Sequence, residues 1–149
     1  MTAADAAAIA ARTAAAMERA DEAMRSAGIR LLDVGPGWAR TGLTVAQRHL
    51  NGHGLCHGGV LFLLADAALA FASNSHGTSA VAAGADIVFL RPAGPGEELV
   101  ADARERSRAG RSGVYDVTVR TGEATVAEFR GRTRDVPGLP QPSPAGPRH

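Results

Sequence analysis

Apolar and polar positions along the chain separate it into segments of two kinds. From Ala3 to Ala27 strong helix formers dominate, Ile9, Met17 and Met24 lie among charged residues, and Gly28 supplies a stop, which predicts an amphipathic N-terminal helix. Residues 29–34 and 38–45 alternate or carry β-branched side chains around the turn Gly35-Pro36-Gly37, which predicts two strands. The run from Val60 to Asn74 is apolar on every helical face, with Leu61, Phe62, Leu63, Leu64, Leu69 and Phe71, and predicts a helix enclosed by other structure. Four further strands are expected at 80–90, 98–108, 112–121 and 124–134. In the third of these, Tyr115, Val117 and Val119 alternate with Asp116, Thr118 and Arg120. The connections Arg91 to Gly96, Ala109-Gly110-Arg111 and Gly122-Glu123 are short and favour antiparallel neighbours. A long helix with about five antiparallel strands is an α+β domain.

Length and composition narrow the function. A chain of 149 residues fits one domain, taken here as residues 1–136. The stretch 137–149 has five prolines and no apolar period, so disorder is expected there. A net charge of +1 lacks the basic excess of a nucleic-acid binder and directs attention to small ligands. The single Cys56 excludes an intrachain disulfide and suits a reducing cytoplasm. Charges at Asp5, Arg12, Glu18 and Arg19 interrupt the Ala-rich N-terminus before a signal peptide can form. The Val60–Ala72 run is shorter than the roughly 20 residues a membrane span needs, and Asp66 lies in its middle.

Asp66 is the leading candidate for chemistry. An ionised carboxylate in an apolar helix costs several kcal/mol unless it is paired, hydrated or used, and burial raises its pKa. Pairing with a backbone group or a partner's Arg is the structural alternative. Just upstream, Gly58 and Gly59 open the same helix, where amides without a neighbouring Cβ and a favourable dipole can hold an oxyanion. An ordinary flexible loop would also carry such glycines. His57 and Asp66 are nine residues apart, about 13 Å along a helix and on opposite faces, so they cannot serve one carbonyl within one chain. If both act, the active site joins two copies, and a homo-oligomer is obligatory. Asn51 is either a turn residue or a side chain that orients water. His49, His53, Cys56 and His57 suggest a metal site, but the glycine-rich context supplies no convergent set of ligands, so no metal is expected. A Cys56/His57 nucleophile pair is disfavoured because adjacent residues seldom face one another.

The run Asn51-Gly52-His53-Gly54-Leu55-Cys56-His57-Gly58-Gly59, followed by Leu64-Ala65-Asp66 and Ala72-Ser73-Asn74-Ser75, resembles the hotdog-fold thioesterases of the phenylacetic-acid-degradation (PaaI-like) type. Asp86 to Pro92, Gly113 to Val117 and Phe129 to Arg132 extend the likeness over about residues 25 to 134. The resemblance implies a six-stranded antiparallel sheet wrapped round the central helix and dimers commonly joined into tetramers. It also implies acyl-CoA hydrolysis, with phenylacetyl-CoA or a related aryl-acyl-CoA as the leading substrate and medium-chain groups open. In such enzymes the carboxylate at Asp66 attacks the thioester or activates water, and the Gly58 amide polarises the carbonyl. The His57 position holds the loop, the Asn51 position places water or substrate, and no metal or other cofactor takes part. Gly59, with Arg91, Arg111 and Arg132, is a candidate contact for anionic coenzyme A, although each Arg also fits a solvated surface role. A hotdog dehydratase or hydratase, and a non-catalytic acyl-CoA-binding module, are the competing readings.

Overall fold

The structure is a computed structural model, and it describes residues 1–142. The chain begins with two helices, α1 (Ala3–Ala20) and α2 (Glu22–Ala27), where the sequence pattern predicts one. The break falls at Asp21, whose extended backbone ends α1 and whose side chain accepts from the Met24 amide at 2.9 Å to cap α2. An N-cap aspartate satisfies an otherwise orphaned helix amide, so a residue that reads as one more helical polar position starts a new helix. Gly28, with φ of 78°, closes α2 in the left-handed conformation that glycine adopts without strain.

Strands β1 (Arg30–Gly35) and β2 (Trp38–Thr44) form the first hairpin. After the loop comes α3 (Gly58–Asn74), then β3 (Ala80–Phe89), β4 (Glu98–Ala109), β5 (Ser112–Thr121) and β6 (Ala124–Asp135). All six strands join one antiparallel sheet in the order β1-β2-β4-β5-β6-β3. This is the hotdog arrangement: the sheet curves around α3, and β3, the strand that follows the helix, lies at the far edge beside β6.

Small side chains let helix and sheet approach. Ala65 and Ala68 of α3 and Ala101, Ala103 and Ala127 of the sheet are fully buried. Between them Leu64, Leu69, Phe71, Val117, Val119 and Phe129 fill the core. Each large apolar side chain enclosed this way contributes about 1.5–3 kcal/mol. At Gly131 helix and sheet leave no room for a side chain: a Cβ there meets Leu69 Cδ2 at 2.5 Å and Phe129 Cε1 at 3.1 Å. Gly131→Ala is therefore expected to destabilise the fold by about 1–3 kcal/mol, as overpacking does, and a urea titration will show an unchanged midpoint if α3 has more freedom than this packing implies.

Wrapping is incomplete within one chain. Gly59, Phe62, Leu63, Asp66 and Ala70 form a stripe at spacings of three and four that the chain's own elements leave wholly or partly exposed, while Leu61, Leu64, Ala65, Ala67, Ala68 and Leu69 are buried. The edge strand β3 and its end are also apolar and open, with Val81, Val88, Phe89 and Leu90 between 41% and 58% exposed. The expectation of an all-round enclosed helix thus holds for every face but one.

Beyond β6 the chain stays on the fold for a short distance. The Val136 amide donates to Ser79 O at 2.8 Å, and the Leu139 amide donates to Val136 O at 2.9 Å. The tail expected to be disordered, 137–149, includes Leu139 and continues into 143–149, which lie outside the described residues.

Candidate active site

The loop before α3 is built from its own polar groups. Asn51 Oδ1 accepts from the amides of His53 at 2.9 Å and Leu55 at 3.2 Å, and the Asn51 amide donates to Leu55 O at 2.7 Å. The turn reading of Asn51 thus holds for its side-chain oxygen, which is committed to the loop, while Nδ2 has no acceptor among the described residues. The Cys56 amide donates to Ala93 O at 2.8 Å and the His57 amide to His49 O at 2.8 Å, so the loop is tied to two neighbouring segments.

His57 is the N-cap of α3. Its Nδ1 accepts from the Gly59 amide at 3.0 Å, while its carbonyl accepts from Val60 and Leu61. Of the first-turn amides, only that of Gly58 has no protein acceptor among the described residues. The helix dipole adds positive potential at that point. Gly58 and Asn51 line one cavity of about 360 Å³, together with Arg91 and Phe89. A Cβ on Gly58 would press against the Phe89 ring at 3.0 Å, so the glycine keeps the mouth of this cavity clear.

The histidine and cysteine cluster does not converge on a metal. His49 is buried, with Nδ1 accepting from the Ala46 amide at 2.9 Å and Nε2 donating to Ala27 O at 2.6 Å, so both ring nitrogens are occupied. Among the described residues no group of three His, Cys, Asp or Glu side chains could hold an ion. Burial pushes the Cys56 thiol up to about 11, leaving it protonated and a poor nucleophile.

Asp66 opens onto a different cavity, also of about 360 Å³, with Met17 from α1, Leu69 from α3 and Val81 from β3 in its walls. Its carboxylate makes no hydrogen bond or ion pair with any described residue. Burial raises its pKa, and the charge of Asp21, at the α1–α2 junction, raises it further. Asp21 was not among the residues singled out from the sequence, because its spacing from Asp66 places it nearby only once α2 has folded back. Nearby polar side chains are engaged elsewhere: Asn74 bonds Ala70 O and both backbone groups of Ala80, closing the turn from α3 to β3.

Gly58 and Asp66 are eight residues apart on one straight helix, about 12 Å along its axis, and they face separate cavities. The three arginines separate too. Arg91 borders the Gly58 cavity, Arg132 pairs with Asp86 at 3.2 Å on the open sheet face, and Arg111 lines a groove near Asp135 and Gln141. Only Arg91 shares a cavity with the free amide.

A single layer of antiparallel sheet curled around one helix, with a glycine amide left without an acceptor at the helix start and an unpaired carboxylate midway, describes a class of acyl-transfer protein. The chain belongs to the thioesterase superfamily, whose family model matches residues 53–128. It is 42% identical over 128 residues to the acyl-coenzyme A thioesterase PaaI of Escherichia coli (strain K12), covering 85% of this chain and 91% of that protein. The structure of the E. coli PaaI protein from the phenylacetic acid degradation operon superposes with a TM-score of 0.85 at 40% identity, covering 87% of this chain and 95% of that one. A Streptococcus mutans UA159 protein bound to acetyl CoA superposes with a TM-score of 0.71 at 26% identity, covering 73% of this chain and 89% of that one.

Proposed function

We propose that the chain hydrolyses acyl-CoA thioesters to free acid and coenzyme A, with aryl-acetyl or related acyl groups as substrates, at a site shared between two copies. The observation that carries this reading is the unpaired, half-buried Asp66 carboxylate beside an apolar cavity, on the same helix as a glycine amide left without an acceptor. A carboxylate kept from solvent without a partner costs stability, and catalysis is the use that offsets it.

The thioester carbonyl oxygen accepts from the Gly58 amide of one copy, and Asn51 Nδ2, its oxygen committed to the loop, donates to substrate from the same side. Asp66 of the second copy removes a proton from water as the water oxygen adds to the carbonyl carbon. The tetrahedral intermediate then expels the coenzyme A sulfur, which takes that proton back from Asp66. Attack by Asp66 itself, giving an anhydride that water opens, yields the same products. His57 holds the Gly59 amide and so fixes the helix start. Gly59 lies in the same exposed stripe, and Arg91, which no described carboxylate pairs with, is the arginine best placed to meet coenzyme A phosphates.

The second copy is supported by the uncovered stripe of α3 and by the apolar edge strand β3. An exposed strand edge of this length and character invites pairing, and sealing it buries the open side chains of both features. The proposed assembly joins two such pairs into four copies. No helix among the described residues is long and apolar enough to cross a membrane, and the free thiol fits a cytoplasmic setting.

The test is thiol release across a panel running from acetyl-CoA through decanoyl-CoA and including phenylacetyl-CoA. Turnover with a maximum among aryl and medium acyl groups is expected. Binding of acyl-CoA with no release of thiol would place the chain among non-catalytic binding modules, and hydration of an enoyl-CoA in its stead would make it a hydratase.

A further inference from the structure

We infer that the segment after β6, residues 136–142, is a specificity wall: Leu139 and Pro140 close the cavity beside Asp66 and set which acyl groups fit. The inference rests on the thioesterase reading above and assigns the acyl subsite to a part of the chain that lies beyond residue 128, where the family match ends.

Leu139, Pro140 and Pro142 line the Asp66 cavity opposite Met17 of α1 and Leu69 of α3. The cavity is mostly apolar, because the polar groups of Ser73 and Asn74 turn to backbone carbonyls of their own helix. That leaves the Asp66 carboxylate and the Ser79 hydroxyl as the lining's polar side-chain groups without a partner among the described residues, in the kind of lining a thioester needs: a mostly hydrocarbon slot with one ionisable oxygen pair. The wall is held at defined points. Val136 donates to Ser79 O at 2.8 Å, Leu139 to Val136 O at 2.9 Å, and Gln141 Nε2 to Gly77 O at 3.4 Å.

Behind the wall lies a second void of about 450 Å³, bordered by Arg111, Asp135 and Pro137, and Leu139 and Pro140 face both spaces. A side chain standing between two voids changes the inner volume without forcing the core to repack. Leu139 is 46% exposed, so shortening or enlarging it leaves the fold's apolar centre untouched.

The experiment uses the full-length chain and compares wild type, Leu139→Ala and Leu139→Trp on the same acyl-CoA panel, with circular dichroism confirming equal folding. The Ala variant is expected to raise the ratio of kcat/KM for decanoyl-CoA over phenylacetyl-CoA about tenfold and the Trp variant to lower it about tenfold, the size a change of a few methylenes in an apolar pocket produces. Profiles that coincide for all three proteins while thiol is released overturn the wall and leave the thioesterase reading standing. A wild type that releases no thiol from any member overturns both.

Discussion

Asp66→Asn lowers thiol release by about 10²- to 10⁴-fold, the range a positioned acid or base supplies, and at neutral pH it raises the melting temperature. The two effects share one cause. Burial, and then the charge of Asp21, raise the Asp66 pKa above the ordinary 3.8. A carboxyl whose folded pKa exceeds its unfolded one holds its proton more tightly when folded, so stability falls as pH rises from the unfolded value to the folded one and stays lower above it. The neutral amide lacks this penalty and should be the more stable protein at pH 7. Under the proposed mechanism the ionised form acts, so wild-type kcat is expected to climb with pH through a midpoint above 3.8, and the Asn variant's residual rate to show no such limb. A variant that loses activity and melts earlier would mark Asp66 as a structural group instead.

The pattern of a stabilising change that destroys activity separates this residue from its neighbours. His57 and Asn51 hold loop amides, and their loss costs both order and rate. Asp66 holds nothing within the chain. Proteins retain such groups where function requires a site less stable than the surrounding fold would otherwise be.

Much of the architecture is legible because its signals are local. The alternation of Tyr115, Val117 and Val119 is the burial pattern of β5, and the short turns at Ala109 to Arg111 and Gly122-Glu123 join strands that are neighbours in the sheet. The apolar run before Asn74 is the central helix, extended back to Gly58 because His57 caps it. What the sequence hides is set by contacts between distant residues. The break at Asp21 depends on one side-chain bond to Met24, and its effect on Asp66 depends on α2 packing against α3. The division of Arg91, Arg111 and Arg132 among three surroundings follows from sheet register, to which an isolated arginine offers no clue. Residues 137–142 carry no apolar period, yet Val136 and Leu139 anchor them, because backbone bonds to Ser79 and Val136 need no side-chain pattern. The helical spacing between Asp66 and the helix start at His57 and Gly58, by contrast, needs only residue numbers, and under the proposed mechanism it calls for a second copy.

That requirement is open to a direct test with Gly58→Pro. Proline lacks the amide hydrogen and is well suited to the first position of a helix. His57, with φ −61° and ψ 137°, already has the extended conformation that a residue before proline adopts. The added ring displaces the half-exposed Phe89 side chain slightly, while the helix and its cap remain. Losing one oxyanion donor should lower kcat about 10²- to 10³-fold. Asp66→Asn and Gly58→Pro are then each nearly inactive alone. If each site takes its amide from one copy and its carboxylate from the other, a mixed pair holds one site with both defects and one with neither. Random exchange of equal amounts makes half the pairs mixed, so activity should return to about a quarter of wild type. A site contained within one chain gives no recovery on mixing, however completely native mass spectrometry shows the subunits to have exchanged, and that result removes the shared site while leaving each residue's own contribution in place.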